Sequence, residues 1–257
     1  MIPVPKNQIL QPKLPDFSQF KCIGLGGVGG PVARGLALFL GGLQREANVF
    51  LIDGDSFEPS NATRMFFGAC GNKAAVVREE LLPRFEDSLV TLIALEEFIT
   101  TDNVGKVVQE GDIVLLTVDN HATRKLLNDY CGKLRDVCLI SGGNDGVGKD
   151  SGGTLRRGTY GNVQVYIRQD GKDYTPPLTH FHPEIAKPED RLPTDQSCTE
   201  LVSSVPQSLF ANLMVASCIL NTLWLYLCGV LHYSEMAFDI AEGQMRPIVE
   251  IKKECTR

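Results

Sequence analysis

The sequence predicts an α/β protein built on a Rossmann-like, mostly parallel, doubly wound sheet, with a C-terminal antiparallel extension and a long crossover loop. Three observations carry that prediction. Apolar runs alternate with stretches of helical period between residues 20 and 141, a glycine cluster joins the first run to the first helix, and prolines crowd residues 171–197 ahead of a long uncharged stretch. Strands alternating with helices specify parallel neighbours, because a strand returns beside its predecessor in the same direction only through a long crossover. With 257 residues, 43% hydrophobic and 22% charged, the chain has the composition of a globular protein with a substantial core, which excludes disorder and fibrous repeats. A single unit over 1–257 is expected, with a parallel half at 20–141 and, at 142–257, antiparallel strands, the crossover and a buried helix.

The elements follow in order from periodicity and turn chemistry. Residues 20–25 (FKCIGL) form a short apolar run that enters Gly24, Gly26, Gly27, Gly29 and Gly30, and PVARGLALFL continues at helical period. Val49 to Ile52 is a second strand ending at Asp53, and the turn-rich GDSFEPSN leads to a helix from about Lys73 to Phe85. Further strands are expected at Leu89–Leu95, Asp112–Val118 and Val137–Ser141. Residues 142–153 (GGNDGVGKDSGG) read as loop, 154–168 alternates like an antiparallel strand pair, and 230–251 reads as a terminal pair of strands. Prolines at 176, 177, 183, 188 and 193 deny 171–197 regular structure. Loops of that length inside compact units are usually functional.

A net charge of −6, from 25 Lys and Arg against 31 Asp and Glu, supplies no field for a phosphate backbone, so a nucleic-acid partner is not expected. The eight cysteines are dispersed without a CxxC pair, which argues against metal knuckles. Prolines interrupt the opening MIPVPKNQILQPKLPDF where an export signal needs an unbroken apolar core, so a cytoplasmic location with reduced thiols is expected. Leu209 to Val230 carries no charged residue and meets the length criterion for a spanning helix; yet Asn212 and Asn221 interrupt it, and the nearest basic residues, Arg191 and Arg246, are too distant to orient it. An all-round apolar helix belongs equally to a core or a subunit interface. That is the expectation here, with no membrane partner.

The chemistry concentrates in a few places. Gly24-Leu25-Gly26-Gly27-Val28-Gly29 fits GxGxxG, in which turn glycines let backbone amides approach a phosphate at a helix N-terminus. Asp53, at a strand end, suits the two hydroxyls of a ribose, which leaves NAD and ATP both open. Arg64, Lys73 and Asp119 separate them. Two cations neutralise β and γ phosphates and the charge developing on departing pyrophosphate, and a carboxylate at the C-terminal edge of the sheet binds Mg²⁺. Hydride transfer has no such requirement.

These residues resemble the ThiF/MoeB/HesA-type adenylating enzymes, relatives of the ubiquitin-activating enzymes. The family's glycine motif looks like Gly24–Gly29; its acid-x-acid followed by Ser-Asn-x-x-Arg looks like Asp53-Gly54-Asp55 and Ser60-Asn61-Ala62-Thr63-Arg64. Its Gly-x-Lys helix start resembles Gly71-Asn72-Lys73, and its Asp-Asn ahead of an Arg matches Asp119-Asn120 and Arg124. SNATRMFF, GNKA and VDNHATR look most like a bacterial branch associated with PRTRC-type operons. The resemblance is strong over about 20–125 and moderate over 195–228. It implies ATP with Mg²⁺ as cofactors, 20–141 as the ATP-binding half, and activation of the C-terminal carboxylate of a ubiquitin-like or sulfur-carrier protein. It also implies a homodimer and a conjugating enzyme as partners. By the same resemblance Asp53 and Asp55 belong to the nucleotide site, Asn61, Arg64 and Lys73 hold phosphates, Asn120 lies at the site, and Asp119 binds the metal. No helical Arg-containing extension precedes the first strand, and the spacing from Arg64 to Lys73 is shorter than in MoeB-like members. The alternatives are an NAD-dependent oxidoreductase, which leaves Arg64, Lys73 and Asp119 without a shared task, and a degenerate, non-catalytic subunit.

One thiol stands apart. Cys22 and Cys138 fall in strands and Cys218 and Cys228 in the apolar helix, where free cysteine behaves as a small hydrophobe. Cys198, between Ser197 and Thr199 at the end of the proline-rich crossing, precedes a helix whose N-terminal dipole favours thiolate, and the family's transfer cysteine occupies a similar place. It is the candidate nucleophile for transfer after adenylation, with Cys70 a distant second. His180 and His182 lack a third ligand in register and read as solvated loop residues, and Arg156-Arg157 as a wet face.

Overall fold

A computed structural model describes residues 9–62, 65–149, 153, 155–195 and 208–250. The parallel strands are β1 (Ser18–Ile23), β2 (Ala47–Ile52), β5 (Val90–Leu95), β6 (Ile113–Leu116) and β7 (Val137–Asn144), with two small pieces, β3 (Ser56–Phe57) and β4 (Gly71–Asn72), paired between them. Then follow β8 (Val147–Lys149), β9 (Leu155–Arg157), β10 (Tyr160–Gln169), β11 (Lys172–Asp173), β12 (Glu235–Asp239) and β13 (Gln244–Ile248). The helices are α1 (Gly29–Leu43), α2 (Lys73–Phe85), α3 (Val104–Val107), α4 (His121–Cys131), α5 (Pro183–Ala186) and α6 (Leu209–Leu227).

The main sheet runs β13-β12-β10-β7-β6-β1-β2-β5. Pairings from β5 to β7 are parallel and those from β7 to β13 antiparallel, in the mixed α/β arrangement the sequence predicts. Strands β1 and β6 lie side by side in the middle, and the chain leaves them toward opposite ends of the sheet. A crevice opens between two such strands at their C-terminal ends. Two apolar layers cover the faces. On one, Val32, Leu36 and Leu40 of α1, Val77 and Leu81 of α2 and Val215, Ile219 and Leu223 of α6 pack on Val49, Leu51, Leu115, Ile140, Val163 and Val165. On the other, Leu127 and Cys131 of α4 pack with Val104, Val107, Val114, Leu116, Leu139 and Tyr166.

Two local expectations change. The alternating stretch 154–168 is not one hairpin: β9 pairs with β8, whereas β10 pairs along its length with β7 and then with β12. Gly158, at φ +70°, breaks the strand between them; alternation reports which face is buried but not which strand lies alongside. The glycine-rich 142–153, read as loop, contributes the end of β7 and all of β8. The crossover is irregular as expected, apart from β11, the single turn α5 and a 3-10 turn at Pro193–Asp195. It is nevertheless tied down by side chains. Gln164 Nε2 donates to the carbonyl of Leu178 (3.1 Å), Asn128 Oδ1 accepts from the Leu178 amide (2.8 Å), and Thr175 Oγ1 donates to the Val165 carbonyl (2.6 Å). The helix α6 is long and apolar enough to cross a membrane by length and composition; one face packs on β7 and β10, and Phe210 and Leu213 on the other are exposed.

Candidate active site

A cavity of about 840 Å³ opens at the C-terminal ends of the parallel strands. Gly24, Gly26, Gly27, Asp53, Asp55, Lys73, Asp119 and Asn120, predicted from separate parts of the chain, all line it. The glycines divide by task. Gly24 has φ +85°, and a Cβ there would also strike Val118, so only glycine suits the turn. A Cβ on Gly29 would lie 1.7 Å from the Gly24 carbonyl oxygen, which makes Gly29 the point where α1 closes on the turn. At Gly26 the nearest atom to a Cβ is Met65 Cε at 3.7 Å, so its bare face opens to the cavity.

Asp53 is buried at the end of β2. Its Oδ2 accepts the Leu25 amide (2.6 Å) and its Oδ1 the Asp55 amide (2.9 Å), which ties the carboxylate to the glycine turn. Burial pushes its carboxyl above the usual carboxylate range, against the opposing pull of Lys73 and those two amides. The same corner carries the start of α2. Asn72 caps it, Oδ1 accepting from the amides of Ala74 (2.8 Å) and Ala75 (3.2 Å), while its Nδ2 donates to the Asp53 carbonyl (2.9 Å). Such a cap satisfies otherwise orphaned amides and sets where the helix begins. Lys73, buried as the first residue of the helix, reaches Asp55 Oδ2 at 2.5 Å. Asn61 stands apart: its Oδ1 accepts the Glu58 amide (3.1 Å) within its own 3-10 turn, and it is not among the cavity-lining residues. Arg64 and Cys198 lie outside the described residues.

Asp119 follows β6, exposed in the cavity wall, with no hydrogen bond or ion pair among the described residues. Asn120 is committed to structure. Its Oδ1 accepts from Thr123 N (2.7 Å) and Oγ1 (2.9 Å), capping α4, and its Nδ2 donates to the Arg191 carbonyl (2.6 Å), holding the crossover. Asp190 completes the cap, accepting the amides of His121 and Ala122 at 2.8 Å each. Beneath them Arg124 is buried. Its Nη2 donates to the carbonyls of Val118 (2.9 Å) and Gly142 (3.0 Å), joining the ends of β6 and β7. Burial lowers its pKa, opposed by the charges of Asp119, Glu184 and Asp190.

The cavity continues past Arg124 over the antiparallel strands, where Asn162, Gln164, His121, His182 and Glu184 line it. His182 is not a solvated loop residue. Its Nδ1 donates to Glu184 Oε1 (2.8 Å) and its Nε2 to Glu235 Oε1 (3.0 Å), and Asn162 Nδ2 donates to the same Glu235 oxygen (2.9 Å). Burial opposes the charged imidazole, but the two carboxylates outweigh it and its pKa is raised. His121 goes the other way: burial first, then the Arg124 charge, lower its pKa against the raising pull of Asp190 and Glu184.

A profile of the ThiF family matches residues 9–255. The chain belongs to the ThiF family. It is similar to the adenylyltransferase and sulfurtransferase MOCS3 of Drosophila virilis, 36% identical over 47% of this chain and 26% of that one. The SAMP-activating enzyme E1 of Haloferax volcanii is 30% identical over 49% of this chain and 45% of the other. The chain thus spans under half the length of either relative. Among solved structures, E. coli MccB with MccA-N7isoASN superimposes with a TM-score of 0.64 at 16% identity, covering 92% of this chain and 66% of that one. PaaA superimposes with a TM-score of 0.62 at 16% identity, covering 90% and 72%. These superpositions establish the fold.

In this ThiF-family chain several cavity residues carry no sequence signal of their own. Phe98 and Ile99 line the wall beyond β5, and a Cβ on Gly54 would strike Phe98 Cδ2 at 2.5 Å, which explains the glycine between two acids. Gln164 hides in an ordinary alternating strand. The link from His182 to Glu235 spans 53 residues and no motif marks it. The match to Asp-Asn ahead of Arg did point at Arg124, whose task of tying strand ends emerges only from the fold.

Proposed function

We propose that this cavity binds ATP with Mg²⁺ and that the chain adenylates the C-terminal carboxylate of a small ubiquitin-like or sulfur-carrier protein. The supporting observation is the convergence of Gly26, Asp53, Lys73 and Asp119 on one cavity at the strand ends. The residues fit the ligand: Gly26 leaves room for a phosphate against backbone, and the Asp53 carboxylate, held by two amides at the end of β2, would accept the hydroxyls of a ribose. Lys73, with Arg64, neutralises charge as pyrophosphate departs. Asp119 would hold Mg²⁺, which supplies further neutralisation of the phosphate oxygens. A carboxylate is a poor electrophile, and the AMP ester supplies its leaving group, so the protein contributes positioning and charge more than acid–base chemistry.

Residues 1–257 act in this reading as one adenylation unit, with 20–141 binding the nucleotide and 142–257 the acyl substrate. The activated carboxyl then passes to the Cys198 thiol and onward to a conjugating enzyme or another acceptor. A cytoplasmic homodimer closing over α6, in a bacterial branch of PRTRC type, completes the proposal. Calorimetry with MgATP against NAD tests the nucleotide. Lys73→Ala and Asp119→Ala should each lower carrier-dependent pyrophosphate exchange more than about tenfold, or about 1.4 kcal/mol, with folding intact. Tight NAD binding without ATP binding would overturn the reading.

A further inference from the structure

The stretch from Met65 to Gly68 has no regular structure, yet each of its residues is tied. The Met65 amide donates to the Asn61 carbonyl (3.0 Å), and the Phe67 ring stacks on buried Phe57 with centroids 4.4 Å apart. Met65 and Phe67 turn inward onto the core, and Phe66 between them turns outward. Two helices hold the remaining positions. Arg34 Nη2 of α1 donates to the Phe66 carbonyl (2.9 Å), and the Gly68 amide donates to Glu80 Oε1 of α2. Arg34 and Glu80, both half-buried, then pair with one another. An ion pair near the surface adds little to stability by itself. What these two side chains supply is a fixed main chain where neither helix nor sheet provides one.

We propose that the Arg34–Glu80 pair is a positioning device for the phosphate end of the nucleotide site, holding Met65 against the glycine turn. The proposal rests on the adenylation reading above and adds to it two residues that stand outside the cavity wall. Their location carries it. Met65 lines the cavity, and its Cε is the nearest atom to the bare face of Gly26, 3.7 Å from where a Cβ would stand. The Arg34 guanidinium folds back along the first turn of α1, as side chains on a helix do: a Cβ on Gly30 would meet its Nη1 at 3.0 Å. Helix α1 starts at the glycine turn and α2 starts at Lys73. The pair therefore couples the helix whose N-terminal amides would face a phosphate to the helix that carries the lysine. Asp53, at the ribose end, is held independently by the amides of Leu25 and Asp55. Loosening the pair should disturb the phosphate end and leave the ribose end in place.

The test measures MgATP and AMP binding to the full chain by calorimetry, because the two ligands share the ribose end and differ at the phosphate end. Arg34→Met and Glu80→Ala should each raise the MgATP Kd about tenfold, while the AMP Kd stays within about twofold of wild type. Glu80→Gln keeps an acceptor for the Gly68 amide and for Arg34, and should recover most of the loss. Hydrogen exchange over Phe66–Gly68 should quicken in Glu80→Ala and stay slow in Glu80→Gln. Should Glu80→Ala fail to melt cooperatively, Arg34→Lys takes its place, with the ratio of MgATP to AMP Kd rising at least about threefold. Equal weakening of both ligands would make the pair a general support of the fold, and unchanged binding of both would make it an ordinary surface pair; either result overturns the proposal. A wild type that binds no MgATP would instead overturn the adenylation reading, and the proposal with it.

Discussion

The same alanine substitution at two glycines of one turn should produce opposite phenotypes. At Gly29 a Cβ would lie 1.7 Å from the Gly24 carbonyl oxygen and 2.5 Å from Thr117 Oγ1, about half the normal contact distance to the first. Neither neighbour yields cheaply. The Gly24 carbonyl accepts from Thr117 Oγ1 (2.5 Å), and the Gly24 amide donates to the Ile52 carbonyl (2.9 Å), so the turn is locked to two strands. Helix α1 must back away, and with it the contacts of Val32, Ala33 and Leu36; a loss of about 3 kcal/mol or more is expected, at the upper end for overpacked cores. At Gly26 the nearest atom is 3.7 Å from the added Cβ, and its φ lies outside the left-handed region. Gly26→Ala should therefore change stability by less than about 1 kcal/mol. It should instead place a methyl where a phosphate approaches backbone. Urea unfolding with and without MgATP separates the two, since ligand at a hundred times Kd adds about 2.7 kcal/mol to a binding-competent protein. Wild type should show that increment, Gly26→Ala should lack it at normal intrinsic stability, and Gly29→Ala should be unstable from the start. A Gly29→Ala protein within 1 kcal/mol of wild type would refute the packing argument, and a full ATP increment in Gly26→Ala would refute the assignment of the cradle.

Other outcomes follow from the same geometry. Cys198→Ala should keep pyrophosphate exchange and lose a reductant-sensitive adduct with the carrier, whereas Cys70→Ala keeps both; a normal adduct in Cys198→Ala removes the thiol from its role. Phe210 and Leu213 on α6 and Leu38 on α1 are exposed, an apolar surface that proteins normally cover, so light scattering should find a dimer and Leu213→Arg a monomer. A wild type that stays monomeric at micromolar concentration contradicts this. Because the pKa of His182 is raised above its ordinary 6.5, its contribution to stability is complete below about pH 6.5 and is lost as pH rises through the folded-state value. The pKa of Glu184 is lowered from 4.5, despite burial, by a backbone bond and His182, so its share is present above about pH 4.5 and lost as pH falls through its folded-state value. Urea midpoints across pH 5 to 9 should therefore fall at the alkaline side in wild type more than in His182→Gln; parallel profiles would dismiss the His182 clamp.

Local signals in the sequence were enough for the parallel half. Strand, glycine turn and helix occur consecutively from Ser18 to Leu43, and Asp53, Lys73 and Asp119 each sit at an element boundary, which is where such sheets place their ligands. The antiparallel half was less legible. Period-two alternation over 154–168 was visible, but nothing in it distinguishes a strand pairing with its sequence neighbour from one inserted between β7 and β12. Gln164, Ser141 and Glu235 form a row only after that pairing is known. His182 reads as a loop residue because Glu235, which holds its Nε2, comes from a strand 53 residues away, while Glu184, two residues on in the same turn, carries no motif. Asn120 matched a motif, yet its cap and its bond to the Arg191 carbonyl are tertiary facts.

The anchoring of the crossover at Asn120 and Asp190 sets a leash. The backbone is held at Arg191 by the 2.6 Å bond from Asn120, and Cys198 follows after seven residues. Seven residues span at most about 25 Å however they run. A thiol confined to that radius around the mouth of the cavity has a local concentration on the order of tens of millimolar, set by covalent geometry alone. In the proposed transfer the thiol would compete against bulk water and free thiols with that built-in advantage, and residues inserted after Asp195 would dilute it.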